Sequence, residues 1–236
     1  MGVIVPAIIP TSKHDLEEKL RRLSGVTDFV QIDVVDGKFA GPASWPYGGH
    51  ESELSSMENL PQWGEFKFDI DLMVEHPDQV SGLWIDQGAS RVTIHAESTR
   101  YLAKTMEELE SRYGHDQGFA PELLSFGLAV GTTTDISLIE PYLHFVEYVQ
   151  FMGIRRIGKQ GEPFDVSVVD RIRALRKKHP ELTVQVDGGV NRATAPALLE
   201  AGVDRLIVGS ALWLAPDLKA EYDFLMSLTE QYGLYE

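Results

Sequence analysis

The stretch TVQVDGGVNRATAPALLEAGVDRLIVGSALW, residues 183–213, decides the fold. Its first part, TVQVDGGV (183–190), alternates apolar and polar residues and reads as a strand. TAPALLEAG (194–202) reads as a helix closed by Gly202, because glycine takes the left-handed conformation that ends helices. RLIVGSALW (205–213) reads as a second strand. Strand, helix, strand in so short a span implies parallel strands joined by a right-handed crossover.

The same unit repeats outward to both ends. Strands are expected at 3–9, 29–36, 66–74, 91–97, 123–131 and 148–154. Helices are expected at 15–23, 76–89, 99–113 and 164–178, with a short one near 51–59. Another starts at Asp135, a plausible N-cap, and the last runs over 217–233. Eight strand–helix units in 236 residues, with no linker or break in composition, predict a single (β/α)8 barrel domain over 1–236. An open doubly wound sheet is the alternative, but no G-x-G-x-x-G follows the first strand.

Composition narrows the partners. The net charge of -15 argues against nucleic acid or an anionic membrane, both of which need a basic footprint. The absence of cysteine excludes disulfides, thiolate metal sites and a cysteine nucleophile. The N-terminus lacks basic residues and runs into Pro10, so it reads as neither a signal peptide nor a membrane span. A cytoplasmic, homo-oligomeric protein is expected. Aromatics of the Trp45–Tyr47 loop are expected to be exposed, for a dimer contact or a substrate cover.

In such a barrel the chemistry lies at the C-terminal ends of the strands. Gln31 and Asp33 share one face of the second strand, and Asp69 and Asp71 one face of the third. Polar groups facing a barrel interior are costly unless they are used. Asp33 and Asp71 are therefore site candidates, whereas Asp69, deeper in its strand, is expected to pair with Lys67 or a neighbouring strand. Asp187 ends the seventh strand. With Asp33 it makes two carboxylates placed to take a proton from one face of a carbon and return it to the other.

Gly188-Gly189 and Gly209-Ser210 follow the seventh and eighth strands, where these barrels bind phosphate. Arg155, Arg156 and Lys159 form a basic cluster among glycines after the sixth strand, either anion-binding or a solvated loop. His95 on the fourth strand reads as a supporting residue. His14, His50, His76, His115, His144 and His179 read as surface positions without metal-ligand spacing.

These segments resemble the ribulose-phosphate 3-epimerase family over nearly the whole chain. The matching stretches are QIDVVDGKF (31–39), FDIDLMVEHPDQ (68–79), VTIHAES (92–98), FMGI (151–154), VQVDGGVNRATAPALLEAGVD (184–204) and IVGSALW (207–213). The resemblance implies a barrel of the ribulose-phosphate-binding type that inverts C3 of a ketose phosphate, with Asp33 and Asp187 as the proton-transfer acids. It places the phosphate on backbone amides matching Gly188, Gly189, Gly209 and Ser210; Ala7, Met73 and Met152, with the basic Arg155, Arg156 and Lys159, are the further expected substrate contacts.

It also implies a divalent metal (Mg, Mn or Zn) and no organic cofactor. The family's two histidine ligands are Gln31 and Asp71 here, its first-strand serine is Ala7, and its phosphate loop is the basic 155–162 segment. The remaining ligand set is Gln31, Asp33, Asp71 and Asp187, all oxygen donors, which favour Mg, Mn or Ca over zinc. A changed metal, a metal-free site using Lys38 or Lys159, and a lost activity all stay open. So do three functions: an epimerase, a sugar-phosphate lyase or aldolase, and a non-catalytic sugar-phosphate sensor.

Overall fold

A computed structural model describes residues 3–49, 51–114 and 123–232, without the side chains of residues 51 and 52. The strands are β1 Val3–Ile8, β2 Phe29–Val35, β3 Lys67–Met73, β4 Ala89–His95, β5 Ser125–Val130, β6 Tyr148–Met152, β7 Thr183–Asp187 and β8 Arg205–Val208. They close into a barrel in sequence order, all parallel, β8 pairing with β1. The helices are α1 Lys13–Leu23, α2 Glu51–Ser56, α3 Pro77–Asp86, α4 Leu102–Tyr113, α5 Ser167–Lys178, α6 Ala195–Glu200, α7 Ser210–Trp213 and α8 Leu218–Tyr232. The fold is the expected (β/α)8 barrel.

Local sequence accounts for the elements. In α1 the side chain of Ser12 accepts from the Asp15 amide, while Leu16, Leu20 and Leu23 recur on one helical face and are buried. Val168, Ile172 and Leu175 do the same in α5, whose last turn carries Arg176, Lys177 and Lys178 against the negative end of the helix dipole. The helices cover the outward face of the sheet, where Ile32, Val34, Phe68, Ile70 and Leu72 join one buried apolar layer.

The inward face is different. Its separate apolar cluster is only Val5, Ala7 and Ile207, with Phe29 against it. Gln31, Asp33, Asp69, Asp71, Thr93, His95, Gln150, Gln185 and Asp187 are all buried polar residues on strands. Hydrogen bonds from β2 to β7 and from β3 to β6 cross the interior. These barrels usually fill with branched apolar side chains, so this one is polar inside.

The lower interior is built around Asp69. Asp69 accepts from Thr93 on the neighbouring β4 and from the Tyr148 hydroxyl on β6 across the interior, at 3.3 Å each, rather than pairing with Lys67. Lys67 instead lies over the Phe29 ring. Burial raises the Asp69 carboxyl above its ordinary value, with Arg91 and Arg205 pulling the other way. Tyr148 fits because β5 has Gly127 opposite: a Cβ there would stand 2.1 Å from its ring.

Three expectations are corrected. Residues 135–143 form two 3-10 turns, 136–138 and 140–142, rather than a helix. Pro141 has no amide proton to give and its ring would strike the preceding turn. The last strand stops at Val208; Gly209 breaks it, and 210–213 is a turn of helix whose Trp213 Nε1 donates to the Ala7 carbonyl. Trp45 is buried, edge-on to Trp84, and its indole donates to Glu53. The loop folds back on the barrel, held by Trp45 N to Pro10 O, with Tyr47 half-buried against the core, so Trp45 is not exposed to a partner.

Candidate active site

Asp33 and Asp71 are register partners on β2 and β3, and Asp187 ends β7. One oxygen of each lies within 4.8 Å of the others, in a buried cluster. Gln31 stands one turn of the pleat below Asp33. Its Nε2 donates to Asp33 Oδ1 at 2.7 Å and to Asp187 Oδ2 at 2.9 Å. Asp71 is held from the other side: Oδ1 meets His95 Nε2 at 3.0 Å, and Oδ2 accepts from Gln150 Nε2 at 3.0 Å. The Phe39 ring, 5.4 Å from His95, packs on this imidazole.

The electrostatics follow from burial. Asp187 is pushed up to about 7, first by burial and then by Asp71, against the hydrogen bond from Gln31. Asp33 is raised well above the ordinary carboxylate range by burial, then by Asp187 and Asp71. Burial pulls His95 down, but Asp71, with Glu97 and Asp187 farther off, outweighs it and leaves the imidazole above its ordinary value. Below, Asp69 has two arginines. Above, three carboxylates face one histidine. That excess negative charge calls for protons or a cation.

The donor set fits a hard cation. Three carboxylates converge without an intervening lysine or arginine, and Gln31 Oε1 is buried with no partner among the described residues. Carboxylate and amide oxygens are the ligands Mg2+, Mn2+ and Ca2+ take.

Above the cluster lies a pocket lined by Asp33 and Asp187 at its floor and by Ala7, Met73 and Met152 around them. Gly188, Gly189, Gly209, Ser210 and Lys159 form its far end. These ten sequence candidates are thus brought together, with Gln31 and Asp71 directly beneath. Gly188 and Gly189 both have positive φ, 99° and 71°, and a Cβ on Gly189 would stand 2.9 Å from Phe164, so glycine is required there.

Arg155 and Arg156 do not join the pocket. They are exposed and pair with Asp165 at 2.8 Å and Glu162 at 2.9 Å. The loop neutralises its own arginines and leaves Lys159, exposed and without an ion pair among the described residues, at the pocket's edge. Lys38 also stays outside: its amide completes a turn capped by Asp36. His14, His76 and His144 are exposed and His179 half-buried, while His50 and His115 lie outside the described residues.

Gln150 and Gln160 are among the residues that escaped the sequence reading. Gln150 was legible in principle, since Tyr148, Gln150 and Met152 alternate inward on β6. Gln160 lines the pocket and donates to the Ala7 carbonyl at 3.4 Å, a role no local pattern announces.

Among the described residues no helix is long and apolar enough to cross a membrane. The chain is 25% identical to a ribulose-phosphate 3-epimerase of Aquifex aeolicus, covering 97% of each chain. It is 29% identical to one from Schizosaccharomyces pombe, covering 90% of this chain and 87% of that one. Among solved structures, 3-hexulose-6-phosphate synthase of Salmonella typhimurium superposes with a TM-score of 0.69 at 16% identity, covering 98% and 99% of the two chains, a likeness of fold alone. The family model for ribulose-phosphate 3 epimerases matches residues 3–213, and the chain belongs to that family.

Proposed function

We propose that this protein is a sugar-phosphate epimerase, an isomerase that inverts C3 of a ketopentose phosphate by proton transfer through Asp33 and Asp187. The observation that carries the reading is that pair: two buried carboxylates at one pocket floor, on strands three apart around the barrel, joined through one Gln31 amide. Without a cation, burial and mutual repulsion raise both carboxyls, so the pair favours one shared proton over two charges. One member is then a base and the other an acid, as inversion requires.

The ionised aspartate takes the C3 proton. The electron pair left behind moves toward C2, and negative charge develops on the C2 oxygen. The protonated aspartate then delivers its proton to the opposite face of C3. Gln31 donates to both acids and keeps them oriented as the proton changes hands. Met73, Met152 and Ala7 exclude water from the reacting carbon. At the far end, backbone amides of Gly188, Gly189, Gly209 and Ser210 and the ammonium of Lys159 would bind the phosphate.

Asp33, Asp71 and Asp187 would hold a divalent cation. Bound there, it would supply Lewis-acid charge to stabilise the negative charge that develops on the substrate. Magnesium or manganese suits these ligands better than zinc. The test is epimerisation of D-ribulose 5-phosphate by the wild-type protein in 1H NMR, with D33N and D187N as controls. Turnover that survives both substitutions would overturn the two-aspartate assignment.

A further inference from the structure

Asp71 is the most firmly held of the three clustered carboxylates, and what holds it runs the depth of the barrel. Gln150 Nε2 donates to Asp71 Oδ2 at 3.0 Å. Gln185 Nε2 donates to Gln150 Oε1 at 2.6 Å. Arg205 Nη1 donates to Gln185 Oε1 at 3.4 Å. Gln150 and Gln185 are register partners on β6 and β7, and both are fully buried.

The column has a direction. Each amide sends its N–H toward Asp71 and its C=O toward Arg205, so the dipoles line up between a carboxylate and a guanidinium. The two ends fix that order. Arg205 has no acceptor and an ionised Asp71 has no donor, so turning either amide would set oxygen against oxygen or N–H against N–H. Aligned hydrogen bonds in a low-dielectric interior strengthen one another. His95 occupies the other oxygen of Asp71, so the carboxylate cannot rotate without breaking a bond.

We infer that Gln150, backed by Gln185 and Arg205, is a positioning residue that orients Asp71 to receive the divalent cation. The inference rests on the reading of Asp33, Asp71 and Asp187 as the cation's ligands. In this account the column does for a carboxylate ligand what an outer hydrogen-bond partner does for a metal-bound histidine.

The test is Mn2+ affinity, measured by electron paramagnetic resonance on the folded protein without substrate. Q150M keeps side-chain volume but removes the donor, and should weaken Mn2+ binding by about 10- to 100-fold. Q185M does not touch Asp71, yet it cuts Gln150 from Arg205, removes a hydrogen bond to Asp69, and should weaken binding by a smaller factor. The double variant should bind no more weakly than Q150M alone, because both changes break one column.

Circular dichroism checks folding, and if Q150M does not fold, Q185M decides. Wild-type affinity in Q185M, or losses that multiply in the double variant, would overturn the inference while leaving the cation reading intact. Wild-type protein that binds no Mn2+ would overturn the cation reading, and this inference with it.

Discussion

Replacing Asp187 with asparagine should abolish turnover and stabilise the fold, with a gain that depends on pH. The Asp187 carboxyl moves from 3.8 to about 7 on folding, because burial and Asp71 oppose its charge. A raised carboxyl means that the folded chain binds the proton more tightly than the unfolded chain. Stability from this residue is therefore fully present below about pH 4 and is lost as pH rises through about 7. At 1.36 kcal/mol per pH unit the full loss is about 4 kcal/mol, a large share of an ordinary domain's stability. Asparagine carries no charge to bury, and its carbonyl still accepts from Gln31. Urea denaturation in EDTA at pH 4.5, 6 and 8 would show D187N gaining little at the lowest pH and most at the highest. Added Mn2+ should shrink the gain, by neutralising the wild-type cluster. A D187N gain that does not grow with pH, or a D187N protein less stable than wild type at pH 8, would refute the reasoning.

Other substitutions separate the parts of the site. K159M should raise KM for a ketose phosphate by about tenfold or more with kcat little changed, since one charge-assisted hydrogen bond to the phosphate is lost. R155M should leave KM within about twofold, because Arg155 is committed to Asp165; steady-state kinetics decides both. G127A should destabilise by about 1–3 kcal/mol or more in urea melts, because the new Cβ would collide with the buried Tyr148 ring. In that variant the Thr93–Tyr148–Asp69 contacts should suffer before the catalytic floor does.

Much of this architecture is legible in the sequence, for a physical reason. Strand alternation has a period of two, so an acid in FVQIDVV or TVQVD is placed on the inward face by its apolar neighbours alone. That places Asp33, Asp71 and Asp187, and the glycines after β7 and β8 follow from where the strands end. What is not legible depends on pairing across space. The basic run 155–159 reads as one cluster, yet Asp165 and Glu162 take its arginines, and of its three cations Lys159 alone lines the pocket. Trp45 sits in a Gly- and Pro-rich loop that gives no sign of folding back onto Trp84. The boundary at Val208 is invisible because GSALW is apolar whether it is strand or helix.

The central claim is that Asp33 and Asp187 exchange the C3 proton of a ketose phosphate through one shared floor. Incubating D-ribulose 5-phosphate with the protein in D2O and following C3 by NMR or mass spectrometry tests it directly. The account predicts that deuterium enters at C3, that the C3 epimer forms, and that D33N and D187N each lose these by about 100-fold or more. No deuterium at C3 with the wild-type protein and Mn2+, or incorporation undiminished in both variants, would contradict it.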